Sequence, residues 1–415
     1  MVTNYTQTYN RMPPYIREAL ILGKLMIEKY YGISPLGSYS YLSGTEGSLE
    51  LKNISNKLVK SKRGIVMDLE TTGLDPLRSS IVLVSFTYDG LHAYVFNPQY
   101  VDITPFLEVL RECPYTNHNC KFDYKFIKHE YNIEMKIDWD IYMTHAIATA
   151  GLATLIGGNS LENLAKRYLN VQLAKELRKD FLTDAWKTDD HIMYSAMDSL
   201  ATYQLVPVTK TMLEASGCSH VWENIEKPLI EVIADMELRG VNVDIDTVLK
   251  MRDEYQVKLN EIEENISKLT LHVTSKQVSC PVCLNRGKKK LSCGNCNGTG
   301  KVDITVEESI NPSSPKQIID FFKKEGVPLP TKERTNGQTT DSVDKKSLSK
   351  IKHPLAALLE EHRNYAKALS SFLIPWSTPC DVNPDGKYNP DTKSIHAEIT
   401  QVETETGRTS MKSPK

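Results

Sequence analysis

At 415 residues, with 40% hydrophobic and 25% charged side chains, the chain has an ordinary globular composition and is too long for one core, so roughly two to three domains are expected. A net charge of -2 excludes a global electrostatic attraction for nucleic acid, so any such affinity has to come from local clusters among the 50 lysines and arginines. Lys24 interrupts the apolar stretch Ala19–Ile27, and the uncharged run Ala146–Leu161 is short and rich in Gly and Thr; the expectation is a cytoplasmic protein without a membrane partner.

Residues 1–60 form an extension to which no role is assigned, with a helix expected over Tyr15–Tyr30 after Pro13-Pro14. From Gly64 three runs, GIVMDLE, SIVLVSFTY and LHAYVFN, read as strands, the last two joined by the hairpin dipeptide Asp89-Gly90. ITPFLEVLREC is helical, and from Lys121 the period stays helical through KFDYKFIKHEY, HAIATAGL, SLENLAKRYL and DDHIMYSAMDSLATYQLV. A sheet followed by helices predicts an α/β domain over residues 61–210. Beyond it, IEKPLIEVIADMELRG and DTVLKMRDEYQVKLNEIEENISKL are helical, the second with an apolar stripe through Leu249, Tyr255, Leu259, Ile262, Ile266 and Leu269.

The chemistry begins at Asp68-Leu69-Glu70. On a strand, residues i and i+2 share a face, so these carboxylates stand together. Alone, such a pair is more often a solvated sheet face. Asn119 with Asp123, and Tyr194 with Asp198, are each four apart, the spacing that stacks two side chains on one helix face. Four carboxylates converging on one cleft repel unless cations neutralise them, and hard oxygen ligands select Mg2+ or Mn2+; two such ions can clamp the attacking and leaving oxygens of a phosphodiester.

DLETTGLD, NCKFD and YSAMD resemble the three exonuclease motifs of the DnaQ-like superfamily, in its tyrosine-containing DEDD branch, as found in the proofreading domain of family A DNA polymerases. The resemblance implies a ribonuclease H-like domain, a mixed sheet with flanking helices, acting as a 3'-5' exonuclease. It implies that Asp68, Glu70 and Asp198 bind one Mg2+ or Mn2+, that Asp68 and Asp123 bind or order a second, and that Tyr194 orients the attacking water. Thr71 and Leu74 then fall where the family contacts and wedges the terminal nucleotides, and Asn119 where it contacts the terminal backbone. WDIYMTHAIA, led by Asp140, resembles a further helical segment of the family.

Cys280 and Cys283, then Cys293 and Cys296, form two CxxC turns that can close a tetrahedral set of thiolates around one structural Zn2+. Arg286, Lys288, Lys289, Lys290 and Lys301 surround them, and contact with a phosphate backbone and simple metal-dependent folding of a short insertion, residues 278–302, are alternatives.

IEKPLIEVIADMELRGVNVD and INPSSPKQIIDFF resemble the opening and a later element of the family A polymerase thumb, which implies a mainly helical thumb region over residues 220–380, interrupted by the zinc knuckle, with Lys316 as a phosphate contact. SIHAEITQVETETGRTSMKSP, in residues 381–415, resembles the start of the palm and puts Arg408 where the family contacts the minor groove. Fingers and most of the palm have no counterpart, so polymerisation is expected only from a missing segment or a partner chain. The expected partner is DNA, as a single-stranded 3' end and a primer-template duplex. Alternatives are a stand-alone exonuclease closer to RNase D and a non-catalytic DNA-binding replication subunit.

Overall fold

The computed structural model describes residues 36–150, 157–183, 186–284, 293–333, 338–404 and 406–413. The helix expected over Tyr15–Tyr30 and the basic cluster Arg286 to Lys290 lie outside the described residues. No described helix is long and apolar enough to cross a membrane. The chain forms two compact units, one of residues 36–241 with 396–413, the other of residues 242–395.

The first unit is built on a mixed sheet of β1 (Ser38–Leu42), β2 (Ile65–Thr71), β3 (Ile81–Thr87), β4 (His92–Phe96), β5 (Pro114–Asn117) and β6 (Lys136–Asp140), in the order β1-β4-β3-β2-β5-β6. The three strands read from the sequence are β2, β3 and β4, which pair antiparallel, and β1, β5 and β6 add parallel pairings on either side. Every residue of β3 is buried, as its continuous apolar reading requires of a strand covered on both faces. At the β3–β4 turn, Gly90 has φ +73 and a Cβ there would meet the Tyr203 ring at 2.2 Å, so two independent constraints demand glycine.

Around the sheet lie α1 (Gly44–Ser61), α2 (Thr104–Glu112), α3 (Cys120–Tyr131), α4 (Ile141–Ala148), α5 (Asp189–Ala215) and α6 (Lys227–Arg239). The long α5 packs on β2, β3 and β4 and is fastened by Ser85 Oγ donating to Ser195 O at 2.7 Å and Trp139 Nε1 donating to Thr209 Oγ1 at 2.9 Å.

Two boundaries differ from the sequence reading. Residues 38–61, assigned no role from sequence, supply β1 and α1, because Leu42, Leu51, Ile54 and Leu58 are buried in the same core as Met67 and Phe86. The helix α6, read as the start of the thumb, packs on α3 within the first unit, burying Ile230 and Ala234 there.

The second unit is mainly helical. Its long α7 (Ile245–Thr270) buries Ile262 and Ile266 against Ile318 and Phe322 of α8 (Pro315–Lys324) and Leu355 and Leu359 of α9 (Pro354–Ala368), while Leu269 of the expected stripe stays exposed. Between α7 and α8 runs an antiparallel ribbon, β7 (His272–Ser279) with β8 (Lys301–Glu308), which carries the cysteines in the connection between its two strands.

Candidate active site

Asp68 and Glu70 project from β2, whose register with β3 shifts between Glu70 and Thr71. Opposite them, α5 presents Asp198 and, one turn earlier, Tyr194. Ligand oxygens of Asp68, Glu70 and Asp198 lie within 4.8 Å of one another.

Asp123 arrives from the first turn of α3, and its placement starts with Asp140. That carboxylate, fully buried at the end of β6, accepts from Cys120 N at 2.7 Å, Asn119 N at 3.2 Å and Met143 N at 3.0 Å, capping α3 and α4 together. Asn119 itself is left-handed, φ 70, and precedes the helix; the shared helix face expected for Asn119 and Asp123 is therefore not formed, since a short amide side chain tolerates the turn that starts α3. Asp123 then accepts from Leu69 N at 3.1 Å through Oδ1 and from Asn117 Nδ2 at 2.7 Å through Oδ2. The same Asn117 Nδ2 donates to Asp68 Oδ1 at 3.3 Å.

Burial raises Asp68 to about 6, against the opposing pull of the Asn117 amide and the Arg178 guanidinium. Burial first, then negative neighbours, lift the others above the usual carboxylate range: Asp68 and Asp198 act on Glu70, and Asp68 acts on both Asp123 and Asp198. Tyr194 is raised by burial and by Asp198, which keeps its hydroxyl protonated. Asp198 Oδ1 is buried and has no hydrogen-bond partner among the described residues. An unpaired buried oxygen amid mutually repelling carboxylates fits a divalent cation as the missing partner.

These groups open into a cleft of about 870 Å3 within the first unit. Leu74, 70% exposed, and Asn119 line it; Thr71 is buried beside it, its hydroxyl donating to Gly73 O at 2.6 Å. Arg408, in the loop after β9 (Glu398–Thr400) and before β10 (Ser410–Ser413), is exposed and outside the cleft lining, and Lys316 is exposed on α8 of the second unit. Sequence reasoning missed Asn117, the cleft cation Arg178 and the wall made by His396 to Glu403.

In the second unit the four cysteine sulfurs lie within 4.8 Å of one another, with Cys280 to Cys293 at 3.8 Å and Cys283 to Cys296 at 3.6 Å. Four thiolates around one ion at about 2.3 Å have edges of about 3.8 Å, so the set fits a tetrahedral metal. Asn295 Nδ2 donates to Cys280 Sγ at 3.4 Å and Gly300 N to Cys296 Sγ at 3.3 Å; the Asn295 contact leads in lowering Cys280 to about 6, toward the thiolate that binds metal.

Residues 44–214 match the family described as 3'-5' exonuclease, and residues 285–415 that described as DNA polymerase family A. DNA polymerase I of Rhizobium leguminosarum is 25% identical over 303 residues, covering 71% of this chain and 25% of the relative. DNA polymerase I of Synechocystis is 25% identical over 372 residues, covering 84% and 33%. The chain thus spans a quarter to a third of the length of these curated relatives. The POL domain of Pol1 from M. smegmatis, solved in complex with DNA primer-template and dNTP, shares the fold with a TM-score of 0.64 at 16% identity, over 90% of this chain and 54% of that one.

Proposed function

Because this chain belongs to the family A DNA polymerases, of the DNA polymerase I-like kind with a 3'-5' exonuclease domain, we propose that its carboxylate cleft removes terminal nucleotides from DNA 3' ends by hydrolysis with two Mg2+ or Mn2+ ions. The observation that carries this is the approach of Asp68, Glu70 and Asp198 to within 4.8 Å. Those three would hold one cation, and Asp68 with Asp123 the other. When bound, the cations lower the pKa of an attacking water and stabilise the charge on the leaving oxygen.

The chain's own residues orient and hold protons. Tyr194, kept protonated, donates its hydroxyl toward the attacking water. Asp123 is locked by two donors before substrate arrives. Leu74, Phe122 and Tyr142, all lining the cleft, offer apolar faces to unstacked bases, Asn119 meets the terminal nucleotide with Thr71 next to Glu70 beside it, and the Arg178 guanidinium faces a backbone phosphate. The cysteine set would hold one structural Zn2+ that lets a ribbon without a core of its own fold. The second unit is read as thumb, with Lys316 as a phosphate contact, and Arg408 as a minor-groove contact.

The test is incubation of the chain with 5'-labelled single-stranded DNA and Mg2+. A ladder of shortened products is expected, abolished by Asp68→Ala; an inert wild-type chain refutes the proposal.

A further inference from the structure

Asn117 is the last residue of β5, fully buried, and lies between β2, which carries Asp68, and β6, which carries Asp140. Its Nδ2 spends both protons on carboxylates, Asp68 Oδ1 at 3.3 Å and Asp123 Oδ2 at 2.7 Å. Its Oδ1 is buried with no hydrogen-bond partner among the described residues. Turning the amide over would set a carbonyl against both carboxylates, so the acids alone fix its orientation and an acceptor is left unmatched as the consequence. Among the described residues Asn117 is the one side chain shown hydrogen-bonded to two of the four clustered acids, and it bridges Asp123, the acid outside the Asp68, Glu70, Asp198 trio, to Asp68 within it.

We propose that Asn117 is a positioning residue for the second cation: its amide bridge holds Asp68 and Asp123 together as a pair ready to share one divalent ion. This rests on the two-cation reading above. Each bridged oxygen keeps a lone pair for the ion, while Leu69 N–H fixes the far oxygen of Asp123. Without the bridge, buried Asp123 and half-buried Asp68 swing apart and the shared site has to be rebuilt at every binding event. Within the trio Asn117 bonds only Asp68, and by the longer of its two contacts, 3.3 Å against 2.7 Å to Asp123, so the trio's cation is the less affected. Loss of such an outer partner costs about 10–100-fold in metal affinity.

Mn2+ is the probe, titrated into the full chain by calorimetry and by loss of the free-ion EPR signal; oxygen donors rather than thiolates take it. The wild type is expected to show two binding events. Asn117→Ala should leave the tighter within about twofold and weaken the other at least about tenfold, while Asn117→Ser, able to donate to one acid, should fall between. Should Asn117→Ala not fold, as judged by circular dichroism in chelator, Asn117→Ser alone carries the comparison. Two events unchanged, or both weakened by the same factor, overturn the proposal. A wild type that binds a single Mn2+ overturns it too, whereas the exonuclease reading is decided separately by degradation of labelled DNA.

Discussion

Glu237 sits at a junction whose loss can be sized. Its side chain, 3% exposed, accepts from Lys121 Nζ at 2.6 Å and Lys125 Nζ at 2.5 Å, and its Oε1 also accepts Ile399 N at 2.8 Å. Lys121 donates further to Ile399 O, and His396 Nδ1 lies 2.9 Å from Glu237 O. One carboxylate of α6 thus fastens the segment forming a cleft wall to α3, the helix that carries Asp123. Glu237→Ala would leave Lys121, whose side chain is 10% exposed, as a buried ammonium facing one carbonyl. Breaking a buried pair in this way costs about 3–5 kcal/mol. For a unit of this size that corresponds to a fall in melting temperature of roughly 6–20 °C. Glu237→Gln, which keeps an acceptor for Ile399 N but no charge, should cost less. Thermal unfolding would be read beside hydrogen exchange, with peptides covering residues 396–403 losing protection in Glu237→Ala. A variant that melts within about 1 °C of wild type, with those amides still protected, would refute the reasoning.

The folded protein holds Asp68 at about 6 against an ordinary 3.8, so between those values it binds more protons than the unfolded chain. In chelator, its contribution is therefore present below about pH 4 and lost as pH rises through about 6, on the order of 3 kcal/mol for this group, with Glu70, Asp123 and Asp198 shifted the same way. Melting curves from pH 4 to 8 should fall in EDTA and flatten in Mg2+; a flat EDTA series contradicts this. Arg178→Gln should weaken binding of a single-stranded oligonucleotide and reduce the slope of log affinity against log salt by about 0.7, as loss of one phosphate contact requires, and an unchanged slope removes Arg178 from the substrate path. Cys283→Ser should release the bound metal, detected with a chromogenic chelator, and expose the ribbon of β7 and β8 to exchange while α7 stays protected.

Local periodicity made part of this legible. Asp68 and Glu70 share a face because a strand alternates, and Asp198 follows Tyr194 by one turn of a real helix, so both were available from spacing. Asn119 was not: the sequence pattern does not signal the left-handed residue that starts α3. Asn117 carries no mark of its own, since its importance comes from a sheet order that brings β2, β5 and β6 together. The strands β5 and β6 are short and end in polar residues, which hides them from an alternation search. Lys121 and Glu237 lie 116 residues apart, and neither lies in a motif that names the other. Partnerships set by long-range packing escape any reading made one segment at a time.

The chain leaves the first unit at residue 241 and returns at 396, so the second unit is an insertion of 154 residues, 242 through 395, within it. During synthesis at about 5–20 residues per second, that interval lasts roughly 8–30 s. Throughout it Asp68, Asp123 and Asp198 have already emerged, but Ile399 has not, and Lys121 and Glu237 await a third member. The first cleft carboxylates to be translated thus wait for a wall that is made only after the inserted unit, and the inserted unit can collapse on its own core before its host closes.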